Sequence, residues 1–321
     1  VNIDILDDEE PIFDLKIAVK RNSLVMPKML LKKGDALKKI NNSEYVIEDE
    51  ITIGGQDHFY LEGQISLVIP DEDNKFTVWS STQHPTEVQH CVANVLGISQ
   101  AKVTSKVRRL GGGFGGKESQ ASIIASITAL CPWYFGKPAK LRLTRHDDML
   151  ATGKRHDFLS LYKVGFNSDG KIQGLEVNLL SRAGNVADLS GPVMTRAMTH
   201  IDNCYSLKNV TINGYCCKTN TVSNTAFRGF GGPQGIITIE TIIDSIARKL
   251  IKPIEEIRNI NLYSKDNGLK TPYGQIVNDS DRYNKVWDRV CEISNLQKIK
   301  KNIEEYNLQQ KEVGSPLSCL L

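Results

Sequence analysis

The segment GGGFGGKE at positions 111–118 constrains this chain more than any other, because five of its first six residues are glycine. Glycine lets a backbone approach a ligand closely and adopt angles that other residues avoid. Alternating apolar and polar residues predict a strand over 101–109 before it, and apolar residues at helical spacing predict a helix over 119–130 after it. Such a turn aims unpaired N–H groups and a positive helix end at one point, which suits an anion or an oxo group.

The same segment partly matches a nucleotide-binding loop. Gly111 to Lys117 fits the pattern G-x-x-x-x-G-K, but Glu118 stands where that pattern needs a hydroxyl to hold magnesium. An acid beside a triphosphate would repel it. A glycine-rich turn between packed elements is the simpler alternative, and this segment alone leaves it open against a binding site.

A second segment, NTAFRGFGGPQG at 224–235, repeats the design of an aromatic residue, glycines and a helix start. Pro233 occupies the place of a first helical residue, and the apolar residues after it recur at helical spacing. We call 111–118 the first Gly/Phe loop and 224–235 the second Gly/Phe loop. Together they could bring backbone donors and phenyl faces around one flat ligand.

Size and charge bound the class of protein. A chain of 321 residues can bury a sizeable core, and its net charge of +3 is too small to indicate nucleic-acid binding. No apolar run reaches the ~18 residues of a membrane span, and the acidic N-terminal segment lacks a signal-peptide pattern. We therefore expect a cytoplasmic protein, and the initial Val suggests a piece of a longer chain.

The seven cysteines include no Cys-x-x-Cys pair. Their odd number and scattered positions argue against a disulfide framework, a zinc site or an iron–sulfur cluster, and fit a reducing compartment.

The remaining pattern predicts an α+β fold. Strands are expected at 45–53, 65–69, 76–79, 139–143, 158–166, 172–180 and 210–215. Helices are expected from Pro85 to Leu96 and at 236–250, 254–263, 281–293 and 297–310.

Several polar residues have simple structural interpretations. His58 is expected to be a hydrogen-bonded packing residue, and Gln83 a cap or turn residue between a strand and a helix. The charged segments 145–148 and 153–157 are expected to be loops whose charges are either solvated surface or part of an interface. Arg196 stands among apolar residues, where it either extends its guanidinium to solvent or serves as a buried donor.

Together these motifs resemble the molybdenum-cofactor subunit of the xanthine dehydrogenase family, bacterial type. The resemblance covers nearly all of residues 40–295. Its strings are GGQDHFYLEGQ (54–64), SSTQHPTEVQH (80–90), RRLGGGFGGKESQ (108–120), ATGKRHDF (151–158), ADLSGPV (187–193) and TNTVSNTAFRGFGGPQG (219–235).

The resemblance implies a set of residues around a molybdenum-pterin (molybdopterin) cofactor. Gln83 matches the glutamine near the apical oxygen of molybdenum, and Phe114 and Gly115 match residues against its oxo face. Ala226 and Arg228 match backbone contacts to the cofactor region. Gln83, Phe114 and Arg228 are thus expected near the metal without ligating it through their side chains.

The resemblance also implies a purine site. Glu118 and Arg196 match the two polar residues that grip the purine and take part in catalysis, the latter by stabilising negative charge on the ring. Phe227 and Phe230 match the aromatic residues that sandwich the ring. Both polar residues together favour hypoxanthine or xanthine over an aldehyde, which leaves an aldehyde oxidase as an alternative.

The implied reaction hydroxylates a carbon between two ring nitrogens. Electrons would leave through 2Fe-2S clusters to FAD and NAD on another subunit, in a dimer of heterodimers. The expected division is a lead-in from a preceding domain (1–40), a first cofactor-binding domain (41–295) and a divergent end (296–321). The family's Gly-Glu-Pro base segment does not occur here. We therefore expect the isolated chain to be inactive, and a non-catalytic truncated product is a further alternative.

Overall fold

The computed structural model describes residues 10–309, so the first nine residues and 310–321, with Cys319, lie outside the described part. Within it, the strands are β1 (Met29–Lys33), β2 (Tyr45–Ile53), β3 (Ile65–Asp71), β4 (Lys75–Ser80), β5 (Val103–Lys106), β6 (Ala139–Arg142), β7 (Phe158–Phe166), β8 (Ile172–Gly184) and β9 (Val210–Lys218). The helices are α1 (Leu15–Lys20), α2 (Ala36–Asn41), α3 (Pro85–Leu96), α4 (Gln120–Phe135), α5 (Arg145–Ala151), α6 (Ser190–Thr199), α7 (Gly232–Leu250), α8 (Ile254–Asn261), α9 (Asp281–Ser294) and α10 (Leu296–Gln309).

The strands form two sheets, which confirms the α+β prediction. The larger sheet has the order β1-β9-β8-β7-β2, with antiparallel pairs except for parallel β8 and β9. The smaller has the order β5-β4-β3-β6, and its β3–β4 hairpin lies where the sequence predicts one. No helix within residues 10–309 has both the length and the apolar character that a membrane crossing requires.

Each sheet has its own core. Helices α6 and α7 pack on the larger sheet around residues such as Met194, Ile212 and Ile243. Helices α3 and α4 pack on the smaller sheet around Val78 and Val92. The two Gly/Phe loops lead into α4 and α7, one helix from each core, so both loops start from rigid elements.

Two local predictions need correction. The strand expected over 101–109 is only Val103–Lys106, because it pairs in parallel with β4 over four residues. The charged segment 145–148 is the start of helix α5, because Thr144 caps it by accepting a hydrogen bond from the Asp147 N–H at 3.1 Å.

The expected domain division stays a prediction. Strand β1, which falls in the expected lead-in, pairs with β9 along its whole length and so shares the larger sheet.

A candidate functional site at the two Gly/Phe loops

The two Gly/Phe loops share an unusual backbone shape. Phe114 and Phe230 both adopt left-handed backbone angles, with φ of 53° and 51°. In each loop the next residue is a glycine with positive φ, Gly115 at 100° and Gly231 at 94°. A left-handed non-glycine residue costs about 1–3 kcal/mol, and such strain clusters at ligand sites. The repeated strain marks both loops as candidate binding elements.

The loops touch through their backbones. The Arg228 N–H donates to the Phe114 carbonyl at 2.8 Å. A Cβ atom on Gly115 would lie 2.7 Å from the Ala226 carbonyl oxygen, so only glycine fits at this crossing. The structure therefore brings Phe114, Gly115, Ala226 and Arg228 together.

Gln83, which lies two residues before α3, contacts the same group of residues. Its Oε1 accepts hydrogen bonds from the N–H groups of Gly115 at 2.9 Å and Lys117 at 3.3 Å. Its own N–H donates to the Lys117 carbonyl at 2.8 Å. Gln83 thus bonds to the first Gly/Phe loop instead of capping α3, which has no side-chain cap. The side chain is exposed, and within residues 10–309 its Nε2 has no hydrogen-bond partner, so it can donate to a ligand.

Lys117 fixes the first Gly/Phe loop in place through its buried side chain. Its fully buried ammonium donates to the Glu62 carbonyl at 2.6 Å and to Ser81 Oγ at 2.8 Å. Burial, partly offset by Glu62, lowers the pKa of Lys117. The ammonium cannot reach a phosphate without leaving these partners, which argues against the nucleotide-binding alternative.

A groove of about 560 Å³ opens where the loops meet. Its lining residues are Gln56, His58, Phe114, Arg155, Phe227, Arg228, Gly229 and Pro233. His58 is buried, and its Nε2 lies 2.7 Å from the Ala226 carbonyl, which confirms it as a hydrogen-bonded packing residue.

Arg155 is a residue of this groove that the sequence reasoning missed. Its guanidinium donates to the Arg228 carbonyl at 2.7 Å and to Gln56 Oε1 at 3.3 Å. Its neighbour His156 is 1% exposed. Of the two alternatives expected for 153–157, solvated surface is therefore wrong, and the segment's charge instead lies at a contact with other loops. Glycine-rich charged segments look alike in sequence whether they are solvated or folded against another loop.

Phe227 is already covered by protein. The Arg155 guanidinium carbon lies 4.0 Å from its ring centroid, and the His58 ring centroid lies 4.7 Å away. The ring is nonetheless only half-buried and still lines the groove. Phe230 is half-buried against the larger core, next to Gly231, which packs on α6. The sandwich role of both rings stays a prediction.

Glu118 lies directly after the first Gly/Phe loop and is half-buried. Its carboxyl group makes no hydrogen bond within residues 10–309. Burial is the main cause that raises the pKa of Glu118; Asp188 adds to the rise and His84 opposes it. A carboxyl group that holds its proton to higher pH can donate to a neutral heterocycle as well as accept from it.

Arg196 is exposed on α6. Its guanidinium has no hydrogen bond or ion pair inside the described part of the chain, so it is not a buried donor in this structure. The neighbouring Ala197 N–H faces Gly231, where an added Cβ would lie 3.0 Å away. Arg196 therefore lies on the helix against which the second Gly/Phe loop packs.

The geometry fits the molybdenum-pterin group that the resemblance implies. The backbone N–H groups of Gly113, Phe114 and Gly229 donate no hydrogen bond within residues 10–309. Together with Gln83 Nε2 they form a set of unpaired donors, the kind of group from which oxo and pterin oxygen atoms accept hydrogen bonds. The described residues hold no group of three or more His, Cys, Asp or Glu side chains placed to bind a metal ion.

Comparisons with known proteins identify the family of this chain and its relatives. The family model described as molybdopterin cofactor-binding domain matches residues 19–262. A xanthine dehydrogenase/oxidase from Gallus gallus is 42% identical over 306 residues, which are 95% of this chain and 22% of that protein. The nicotinate hydroxylase hnxS from Emericella nidulans is 40% identical over 275 residues, 85% of this chain and 20% of that protein.

Solved structures agree on the fold. The quinoline 2-oxidoreductase from Pseudomonas putida 86 superposes with a TM-score of 0.76 at 20% identity, over 89% of this chain and 37% of that chain. The chain thus spans about a fifth of the length of the curated relatives it matches.

Proposed function

Because this chain belongs to the molybdopterin cofactor-binding domain family, we propose that the enzyme containing it hydroxylates a purine, converting hypoxanthine to xanthine and xanthine to urate. The observation that carries the proposal is the carboxyl group of Glu118 beside the first Gly/Phe loop, which makes no hydrogen bond to any described residue and has a raised pKa. The similarity to xanthine dehydrogenase/oxidase supports the same substrate class.

The residues of this chain act by binding and orientation. Glu118 binds the edge of the neutral purine by donating and accepting hydrogen bonds with its ring nitrogen and exocyclic oxygen atoms. Arg196 faces negative charge that develops on the ring, where a fixed positive charge lowers the barrier. Phe230 packs against one ring face. A purine that fits both polar groups is favoured, because an analogue leaves one of them unpaired.

The cofactor is held by the loop backbones. Gln83 Nε2 and the N–H groups of Gly113 and Phe114, which are unpaired within residues 10–309, would bind it. Arg228 lies beside them, with its N–H bonded to the Phe114 carbonyl. When bound, the cofactor would supply the oxygen that replaces a ring hydrogen and would accept the two electrons of the broken C–H bond. We propose that 2Fe-2S clusters, FAD and NAD on another domain or subunit take the electrons, in a dimer of heterodimers.

Nicotinate is a second candidate substrate, favoured by the similarity to nicotinate hydroxylase. Its carboxylate could pair with the exposed Arg196, but it lacks the ring N–H groups that a purine offers to the Glu118 carboxyl group. Aldehyde oxidation, the earlier alternative, makes no use of a carboxyl group that exchanges hydrogen bonds with a heterocycle.

Substrate turnover by variants of the whole enzyme tests these candidates. Glu118→Gln and Arg196→Met are compared with Arg142→Met, a control at an exposed arginine on β6. We expect each site variant to lower kcat/KM for hypoxanthine by about 100-fold, the loss of one to two charged hydrogen bonds. Retained hypoxanthine turnover in both variants would refute the purine site, and faster turnover of nicotinate or benzaldehyde than of hypoxanthine by the unaltered enzyme would refute the substrate class.

A further inference from the structure

Asp188 is a hydrogen-bond junction just before α6. Its Oδ2 accepts from Ser119 Oγ at 2.7 Å and Gln120 Nε2 at 2.8 Å. Its Oδ1 accepts from Thr225 Oγ1 at 2.7 Å and the Leu189 N–H at 2.6 Å. Four donors therefore converge on one half-buried carboxylate.

These donors come from the segments that carry the proposed substrate residues. Ser119 directly follows Glu118, and Thr225 lies within the second Gly/Phe loop. Asp188 itself precedes the helix that presents Arg196. One carboxylate thus connects the three pieces of chain whose relative placement sets the distance between Glu118 and Arg196.

The backbone at Asp188 is strained, and the hydrogen bonds to its side chain offset that strain. Asp188 has a left-handed backbone with φ of 41°, a conformation that is strained for a residue other than glycine. Hydrogen bonds to a charged acceptor are stronger than those between neutral groups. The side-chain bonds can therefore hold this backbone shape, and a neutral side chain would hold it less well.

We propose that Asp188 is a positioning residue that fixes Glu118, Arg196 and the second Gly/Phe loop relative to one another and so sets the geometry of the purine-binding site. The inference rests on the proposed function for its substrate. Asn at this position has one acceptor oxygen, and its NH2 group would face donors from at least one segment. The three segments would then separate without loss of either hydrophobic core.

The test compares Asp188→Asn with Glu240→Gln in the whole enzyme. Glu240 is a matched half-buried carboxylate that accepts from Asn203, Tyr205 and Arg258, on the part of α7 away from the loops. We expect Asp188→Asn to lower kcat/KM for hypoxanthine by about 30-fold, with a raised KM, while Glu240→Gln changes it by less than about threefold even if Tm falls equally. Asp188→Glu, which keeps the charge, should recover part of the loss.

Two further measurements separate positioning from general stability. In a Glu118→Gln background, Asp188→Asn should lower kcat/KM for hypoxanthine by less than about a further threefold, because the effects of substitutions at residues that act through one another are not additive. Amide hydrogen exchange should rise in both 111–120 and 224–232 in Asp188→Asn and in neither for Glu240→Gln. Independent, multiplying losses or unchanged exchange in both loops would overturn the inference. An unaffected Glu118→Gln enzyme would instead refute the proposed function, while the exchange data still decide the positioning role.

Discussion

The side-chain oxygen of Gln83 accepts a hydrogen bond from the backbone N–H of Gly115 at 2.9 Å, so a residue just before α3 holds the crossing point of the two Gly/Phe loops. The Nε2 of the same side chain has no partner among residues 10–309 and can donate to a ligand. Gln83 therefore has two separable roles, one toward the protein and one toward the cofactor.

Substitutions at Gln83 should separate these roles. Gln83→Glu keeps an acceptor for Gly115 but loses the Nε2 donor, so we expect near-normal stability with a lower molybdenum content per chain. Gln83→Met loses both and should also cost about 1 kcal/mol of unfolding free energy. Thermal unfolding and elemental analysis measure the two effects, and a full molybdenum content in Gln83→Glu would contradict the ligand role.

Gly115 offers a sharper test of the loop crossing. Gly115→Ala forces a Cβ atom to within 2.7 Å of the Ala226 carbonyl at a φ of 100°, so we expect a loss of about 2–4 kcal/mol from strain and displaced backbone. Gly54→Ala is the matched control, because no atom of residues 10–309 lies within 4 Å of its added Cβ. It should change the unfolding free energy by less than about 0.5 kcal/mol. Equal Tm values for both variants would show that the loops do not meet as described.

Lys117 is expected to be a structural residue. Lys117→Met removes the donor to Glu62 and Ser81 and should cost about 1–3 kcal/mol, since buried acceptors are left unpaired. Lys163→Met, at a lysine partly exposed in an ion pair with Glu48, should cost less than about 1 kcal/mol. Denaturant unfolding measures both. Magnesium–ATP binding by the unaltered protein, lost on Lys117→Met, would contradict this role and revive the nucleotide-binding alternative.

Stability should depend on pH through His156. Burial, the largest cause, lowers the pKa of this histidine from 6.5 to about 4. Below about pH 6.5 the unfolded chain binds a proton that the folded protein refuses, so this contribution to stability is present above that pH and is lost as pH falls toward 4.

The loss should approach about 3 kcal/mol at the acid end of this window. His156→Gln, which can keep a bond to Ser190 without titrating, should lose less stability between pH 7 and pH 4.5. His146→Gln, at an exposed position, should follow the unaltered protein. Identical Tm profiles for His156→Gln and the unaltered protein would show that His156 does not govern this window.

The sequence predicts the elements better than the polar contacts between them. Helix α3 begins at Pro85 and ends before Gly97 as expected, because start and stop signals are local. Helix α5 was missed because its cap at Thr144 lies in a segment read only for its charge. Burial of Lys117 and the partners of Asp188 depend on residues far apart in the chain, which no local pattern encodes.

The site shows the same limit. The resemblance selects Gln83, Phe114 and Arg228, and the loop backbones bring them together. It does not reveal that the Phe227 ring already packs against Arg155 and His58. That arrangement requires the 153–157 segment to fold under the second Gly/Phe loop, which is a tertiary property.

The most direct test of the central claim is an experimental structure of the cofactor-loaded enzyme with a purine bound. The account predicts the molybdenum-pterin group at the crossing of the two Gly/Phe loops, with Gln83 Nε2 within hydrogen-bonding distance of it and the purine between Glu118 and Arg196. Density for the cofactor elsewhere, with Gln83 and Glu118 contacting only protein or solvent, would contradict it.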